Sequence, residues 1–411
     1  MCGIWELSLL RVSFPRPTND TFIQDAQSRV DASSLLAYRQ GCNVKKLPAA
    51  TLALAGLAFD MPMAHAEEGQ LYGLLRSRDL TPFGFLRLDM RPAHAVSIES
   101  GTWAIETEVG FQNTWALSPN VEEYLTGLES RGRRDLDADE LQAIRDLPGE
   151  NYLLDLELAL LDVTFHYKIS DVWTAYVIAS GVSFHGGFLD GTIEGFHDSF
   201  GFSSFGRPAV TKNQVNLIYD LKSSQYASLG APTDGGLLDP TIGMRYSGWT
   251  LPGKWHLAAE VAVKVPVAGR RELLSTGRTD YGMQVSLQRR GRQHGFYLDA
   301  SAVYYDGSGQ LAPQPSQVIP TLIFGYERIL TARTNVNLQG YVSQSVYSHE
   351  ETDLEELLGE KYQLSLGIRH RRNNYLFTFG ITENLQNVNN TPDIGFQLGL
   401  AWVPLSVMAA R

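Results

Sequence analysis

Beyond residue 100 the chain alternates apolar and polar side chains with a period of two, the pattern of a β-strand with two unlike faces. In RTNVNLQGYVSQSV, Val336, Leu338, Val342 and Val346 share one face, while Asn335, Asn337, Gln339, Tyr341, Ser343 and Ser345 take the other. KYQLSLGIRH sets Tyr362, Leu364, Leu366 and Ile368 against Lys361, Gln363, Ser365 and Arg369, and DYGMQVSLQ sets Tyr281, Met283, Val285 and Leu287 against Gly282, Gln284, Ser286 and Gln288. TWAIETEVGFQNTW and KWHLAAEVAVKV repeat the pattern.

A soluble sandwich would alternate too, because one face of each sheet meets the core and the other meets water. A transmembrane barrel differs in having strands of roughly ten residues, an apolar face toward lipid, aromatic girdles at both interfaces and a polar lumen. Here the strands are long, the apolar faces often end in Trp103, Trp115, Trp255 or Trp402, and the polar faces carry amides and small residues. Connections also alternate in length. Short turns are expected at Ser170-Asp171, Pro252-Gly253, Gly291-Arg292, Thr331-Ala332 and Asn373-Asn374. Longer loops contain residues 117–150, 186–238, 271–278, 307–315, 348–359 and 387–390. A phase slip at Leu160-Leu161 predicts a bulge.

The expected fold is therefore all-β: an antiparallel transmembrane β-barrel of about 12 strands with a short helical plug or lid. Fourteen strands result if NQVNLIYDLKSSQYASL pairs with the wall and Pro82 to Ile98 adds one more. IGFQLGLAW, with Ile394, Phe396, Leu398, Leu400 and Trp402 in phase, resembles the terminal strand read by barrel-assembly machinery. The tail at 403–411 departs from that signal, which ordinarily ends at the aromatic residue.

Upstream, VKKLPAATLALAGLAFDMPMAHAEE has the basic start, short apolar run and A-x-A-like exit of a cleaved signal peptide. The run is too short for a membrane-spanning helix, which needs about 20 apolar residues. Its displacement from the first methionine predicts that residues 1–43 are a non-native, mis-called extension, with translation starting at Val44. The expected organisation is 44–66 as signal peptide, 67–100 as a periplasmic segment or first strand, 101–402 as the barrel, with 186–238 its plug, lid or long loop, and 403–411 as a tail. Cys2 and Cys42 precede the cleavage site, so the mature chain would have no disulfide, thiolate nucleophile or cysteine-bound metal. A net charge of −11 argues against a nucleic-acid partner. Location in the outer membrane of a Gram-negative envelope follows, among outer-membrane lipids and lipopolysaccharide. Arg131, Arg133 and Arg134 could touch lipopolysaccharide phosphates.

GGFLDGTIEGFHDSFGFSSFGR (186–207), SRDLTPFGFLRLDM (77–90) and KVPVAGRRELLSTGRTDYG (264–282) resemble the domain-of-unknown-function-3187 family of exported bacterial proteins. That resemblance implies an outer-membrane barrel and leaves its chemistry unassigned.

In the first of these stretches Leu189, Ile193 and Phe196 would share one face of a short helix, with Asp190, Glu194, His197 and Asp198 on another. One reading is a plug or lid; another is a constriction that touches ligand, formed by Phe188, Asp190, Glu194, Phe196, His197, Asp198, Phe200 and Arg207. His185, Asp190, Glu194 and His197 are chemically able to ligate a metal, but carboxylates so close together usually reflect solvation, and no metal or other cofactor is expected. The run His197-Asp198-Ser199 offers a base, an acid and a hydroxyl, yet adjacent residues on a helix do not face one another, and no catalytic residue is assigned.

Lumen-lining candidates are Glu106, Glu108, Asp155, Glu157, Arg245, Glu260, Lys264, Asp299, Glu327, Lys361 and Arg369. Such a lining would tune a passive channel for small solutes, in part apolar ones if the Gly/Phe segment folds inward. The alternatives are a non-conducting surface or envelope scaffold and, third, a barrel-embedded lipid hydrolase.

Overall fold

A computed structural model describes residues 70–81, 84–93, 98–201, 203–222, 235–267, 271, 273–306, 316–386 and 394–404. The expected extension at 1–43, the signal peptide at 44–66 and most of the tail at 403–411 lie outside the described residues.

Fourteen strands are present among the described residues: β1 (Trp103–Leu117), β2 (Asn151–Lys168), β3 (Trp173–His185), β4 (Asn216–Asp220), β5 (Gly236–Leu237), β6 (Thr241–Leu251), β7 (Trp255–Lys264), β8 (Asp280–Arg290), β9 (His294–Tyr305), β10 (Gln317–Thr331), β11 (Thr334–Ser343), β12 (Lys361–Arg372), β13 (Tyr375–Gln386) and β14 (Ile394–Trp402). Twelve of them close a barrel. β1 pairs antiparallel with β2 and with β14, β2 pairs with β3, β3 with β6, and each strand from β6 to β14 pairs with its neighbours. Closure leaves no unpaired edge, which a spanning sheet in hydrocarbon requires. The two extra strands are short: β4 pairs with β2 at residues 151–155, above the end of β3, and β5 adds two residues beside β3.

Alternation maps onto the wall as lipid outside and polar inside. Ile105, Val109, Leu161, Phe165, Val177, Val261, Met283, Leu298, Phe324, Phe379 and Leu398 are exposed on the outer face. At the end carrying the short turns, Trp103, Trp173, Trp249, Tyr375 and Trp402 ring the belt, with Trp103 against Tyr167 at 4.6 Å between centroids. At the loop end Tyr281 and Tyr304 play the same part.

β2 corrects one expectation. Its register against β1 and β3 runs unbroken through Leu160 and Leu161, so there is no bulge there. The phase slip instead marks where the outer face stops meeting lipid. Tyr152, Leu154, Leu156, Leu158 and Leu160 all point inward and are buried, and Leu153, on the opposite face, is buried too. The upper halves of β1 and β2 are covered on both sides, so their sequence becomes apolar on both faces.

That cover is a cap built from α1 (Pro119–Leu128), α2 (Ala138–Arg145), α3 (Asp190–Phe200) and β4. Val121, Leu125 and Leu128, at the i, i+4, i+7 spacing of one helical face, join Trp115, Leu117, Leu136, Ile144, Leu153 and Ile218 in its core. Asp137 starts α2 by accepting the Asp139 and Glu140 N–H groups at 3.0 Å, as an N-cap carboxylate does.

Candidate functional site: an occupied lumen

The described residues 70–81 and 84–93 form neither a strand nor a segment outside the wall. Apart from a single 3₁₀ turn at Gly84–Leu86 they are irregular, and they lie inside the barrel. Tyr72, Leu74, Leu75, Arg76, Asp79, Arg87, Leu88, Met90 and Arg91 are all buried. This segment, rather than residues 186–207, fills the lumen.

Its course can be followed from its partners. At the turn end the Tyr72 and Gly73 N–H groups donate to Glu327 at 2.7 and 2.9 Å, and Arg369 donates to the Tyr72 carbonyl at 2.7 Å. Asn337 and Gln339 hold Gly73 and Ser77. Near the loop end Asp79 meets Lys361 at 2.8 Å and Arg87 at 3.0 Å, and accepts from Thr81. The Lys264 ammonium donates to the Leu86 carbonyl at 2.7 Å and pairs with Asp280 at 2.9 Å, while Asp280 accepts the Leu88 N–H. The chain then descends. Arg91 bridges Asp162 at 2.6 Å and Glu108 at 3.3 Å, and the Arg91 carbonyl accepts from Gln284. Arg76 pairs with Glu106 at 3.2 Å and Arg78 with Asp162 at 3.0 Å. The segment carries four arginines and two aspartates, and its excess positive charge lies along the Glu106, Glu108 and Asp162 stripe of the wall.

Apolar side chains of the segment enter sockets that wall glycines leave open. A Cβ on Gly110 would stand 2.9 Å from Leu80, one on Gly282 2.6 Å from Met90 and 2.9 Å from Leu88, and one on Gly367 2.7 Å from Leu75. Contacts so short cannot form, so a side chain at any of these positions would force Leu80, Leu88, Met90 or Leu75 of the segment to shift.

The lumen-lining candidates divide. Glu106, Glu108, Arg245, Glu260, Lys264, Asp299, Glu327, Lys361 and Arg369 are buried on the inward face; Arg245 pairs with Glu260, which also accepts from Tyr176. Asp155 and Glu157 are corrections: they share the outward face of β2 with Leu161 and Phe165, and lie beneath the cap. Glu157 accepts the Phe188 and Leu189 N–H groups at 3.1 and 2.6 Å and an Asn113 amide at 3.1 Å, and Asp155 accepts from Asn216 at 2.8 Å. Carboxylates can stand on an outward face here because the strands have risen above the lipid.

The helix expected over the Gly/Phe stretch forms as α3, on that same outward face and not within the lumen. Asp190 binds Arg207 at 2.7 Å, Asn113 at 3.0 Å and the Asn213 N–H at 2.8 Å. Arg207 lies 5.1 Å over the Trp115 ring. Glu194 meets Arg133 at 2.5 Å and Lys212 at 2.6 Å; burial pushes its carboxyl up, and these two cations outweigh that and hold it below the ordinary value. Phe188 and Phe196 are exposed, and Phe188 stacks on Phe111 at 5.5 Å. Asp198 is exposed on the same helix, whose last residue is Phe200. His197 donates through Nδ1 to the Ser203 carbonyl at 2.8 Å, and Ser199 donates to the Gly195 carbonyl at 2.6 Å. With Asp190 and Glu194 engaged by arginine and lysine, the structure gives this stretch the task of fastening the cap. Arg134 pairs with Glu140 at 2.9 Å.

Sequence reading missed Arg76, Arg78, Asp79, Arg87 and Arg91 inside the lumen, and Asp162 and Asp280 on its wall. A signal was present: Gly110, Gly282, Gly325 and Gly367 all fall on the inward phase of their strands, where side chains would otherwise fill the lumen.

A family model described as "Protein of unknown function (DUF3187)" matches residues 148–403. No curated protein matches the chain. Among solved structures the chain is similar to the COG4313 outer membrane channel from Pseudomonas putida F1, at 10% identity and a TM-score of 0.46, covering 76% of this chain and 99% of that one. It is also similar to the Ralstonia pickettii toluene transporter TbuX, at 11% identity and a TM-score of 0.37, over 75% and 90% of the two chains. A third similar structure is the P. putida toluene transporter TodX, at 10% identity and a TM-score of 0.36, over 73% and 88%. With more than half of its length matched by the family model, this barrel-forming chain belongs to the DUF3187 family.

Proposed function

We propose that the protein is an outer-membrane channel for small solutes whose lumen is closed at rest by its own N-terminal segment. The observation that carries this reading is a wall complete without its filling. Twelve strands close on one another through β1 and β14, and residues 70–93 contribute none of them. A polar lumen held shut by a separable segment has the construction of a gated conduit. Near the loop end one stretch of the inward face is apolar, with Val182 and Phe184 in one cluster with Phe85 and Leu86 and the Phe85 and Phe184 rings 6.2 Å apart. This favours solutes that are partly apolar.

The rest of the reading follows from the same orientation. Short turns face the periplasm and long loops the outside, export uses the signal at 44–66, and insertion by the assembly machinery uses β14. Arg131 is exposed on the cap, where it can meet lipopolysaccharide phosphates.

One observation favours a second reading, a non-conducting envelope scaffold: the segment's contacts with the wall run from Glu327 and Arg369 at the turn end to Lys361 and Lys264 near the loop end. Planar-bilayer recording tests the choice. Single-channel steps from the full chain, or from a variant whose N-terminal segment is loosened, support the channel. A folded barrel that is silent in both forms supports the scaffold.

A further inference from the structure

The N-terminal segment does not fill the whole interior. At the turn end a cavity of about 240 Å³ stays open beneath Ala93, the volume of roughly eight waters at about 30 Å³ each. Two kinds of wall meet in it. One is apolar, formed by Ala258, Leu376 and Ala401; the other carries Lys168, Arg245 and Arg290.

The lining carries three cations, Lys168, Arg245 and Arg290, against two carboxylates, Glu106 and Asp171. Glu106 is engaged by Arg76 at 3.2 Å and faces His166 at 3.5 Å, and Asp171 stands exposed on the β2–β3 turn. Arg245 uses its Nε on Glu260, and its Nη2 is buried without a hydrogen-bond partner. Arg290 spends one Nη on Gln288 at 2.9 Å, and its Nε has no partner. His256 adds a further imidazole to the lining. A buried guanidinium donor with nothing to bind is costly, and a planar two-oxygen acceptor is the group it matches best.

We propose that this cavity binds a small organic carboxylate, its two oxygens toward Lys168, Arg245 and Arg290 and its short apolar body against Ala258 and Leu376. Binding here does not depend on conduction, because the cavity is present while the N-terminal segment is seated. A barrel silent in bilayers can still bind, so the two readings fail separately.

Titration calorimetry on the full chain in detergent, with benzoate against its neutral analogue benzamide, tests the proposal. Saturable benzoate binding at least tenfold tighter than benzamide is expected, weakened tenfold or more in Lys168→Gln and in Arg290→Gln. Heat-modifiable migration on gels checks that each variant is folded. No saturable benzoate binding, equal binding of benzamide, or unchanged affinity in folded variants overturns the proposal. The comparison of the two ligands on the unaltered chain decides it even if both variants fail to fold.

Discussion

Two segments that are not part of the barrel wall pack on the β1–β2 strand pair, and they differ in the face they take. Residues 70–93 lie on the inward face, held by Arg91 on Glu108 and Asp162 and by Leu80 in the Gly110 socket. The stretch from Gly186 to Arg207 lies on the outward face, held by Asp190, Arg207 and the Glu157 carboxylate. The inner segment is fixed by many charge pairs with strands all round the wall. The outer one joins an apolar core, with Arg207 over Trp115 and Ala209 among its buried residues. The inner segment has apolar contacts as well, with Phe85, Leu86, Leu88 and Met90 in a cluster with Val182 and Phe184 of the wall, but it alone of the two is tied by charge pairs to strands on many sides of the barrel.

The largest expected effect comes from filling the sockets. In Gly110→Leu/Gly282→Leu the nearest atoms a new side chain meets belong to Leu80, Leu88 and Met90 of the segment. Overpacking costs about 1–3 kcal/mol per site, so the segment should be expelled while the wall stays closed. Trypsin should then cut after Arg76 or Arg87, which are buried in the intact protein, and bilayer recordings should show conductance above that of the parent. If those arginines stay protected, the sockets are not what seats the segment.

A smaller effect is expected from Asp79→Asn. Asp79 faces both Lys361 and Arg87, and all three are fully buried. Removing one partner of a buried pair costs about 3–5 kcal/mol, a shift of roughly two to four orders of magnitude in the docking equilibrium. Tryptic cleavage within 76–91 reads it. Glu157→Gln probes the other segment and should cost about 1–3 kcal/mol. Amide exchange at 188–193 should speed up, with conductance unchanged. A conductance change in Glu157→Gln would mean that the two faces are coupled.

The wall was legible in the sequence because every strand repeats the same physics: lipid on one side and a polar interior on the other, with a period of two. Trp103, Trp255 and Trp402 mark its edge without help from tertiary structure. The site was less legible, because its occupant has no period. SRDLTPFGFLRLDM carries alternating charges and a Pro-Phe-Gly turn, a composition equally suited to a solvated leader. Only its partners, Glu108 some 17 residues away and Lys361 some 280 away, make it a lumen segment. Asp155 and Glu157 were misassigned for a related reason: alternation identifies the two faces but not the height at which the outer one stops meeting lipid.

The smallest expected effect concerns the loop end of the lumen, where the cover is neither cap nor N-terminal segment. Glu351 lies in the β11–β12 loop, buried, with the Ser348 N–H donating to it at 3.1 Å. Burial pushes its carboxyl up to about 8, and the Ser348 bond offsets only part of that. A carboxyl whose folded value is raised favours the folded loop fully below its unfolded value of about 4.3. That contribution is lost as pH rises through the folded value. Between pH 6 and 9 the loop should therefore loosen, and amide exchange at 345–354, corrected for intrinsic base catalysis, should rise several-fold. Glu351→Gln should flatten the dependence, and α1 in the cap should show no such trend. Superimposable profiles for the parent and Glu351→Gln would remove Glu351 from the cause, leaving the loop end of the lumen as insensitive to protons as the cap.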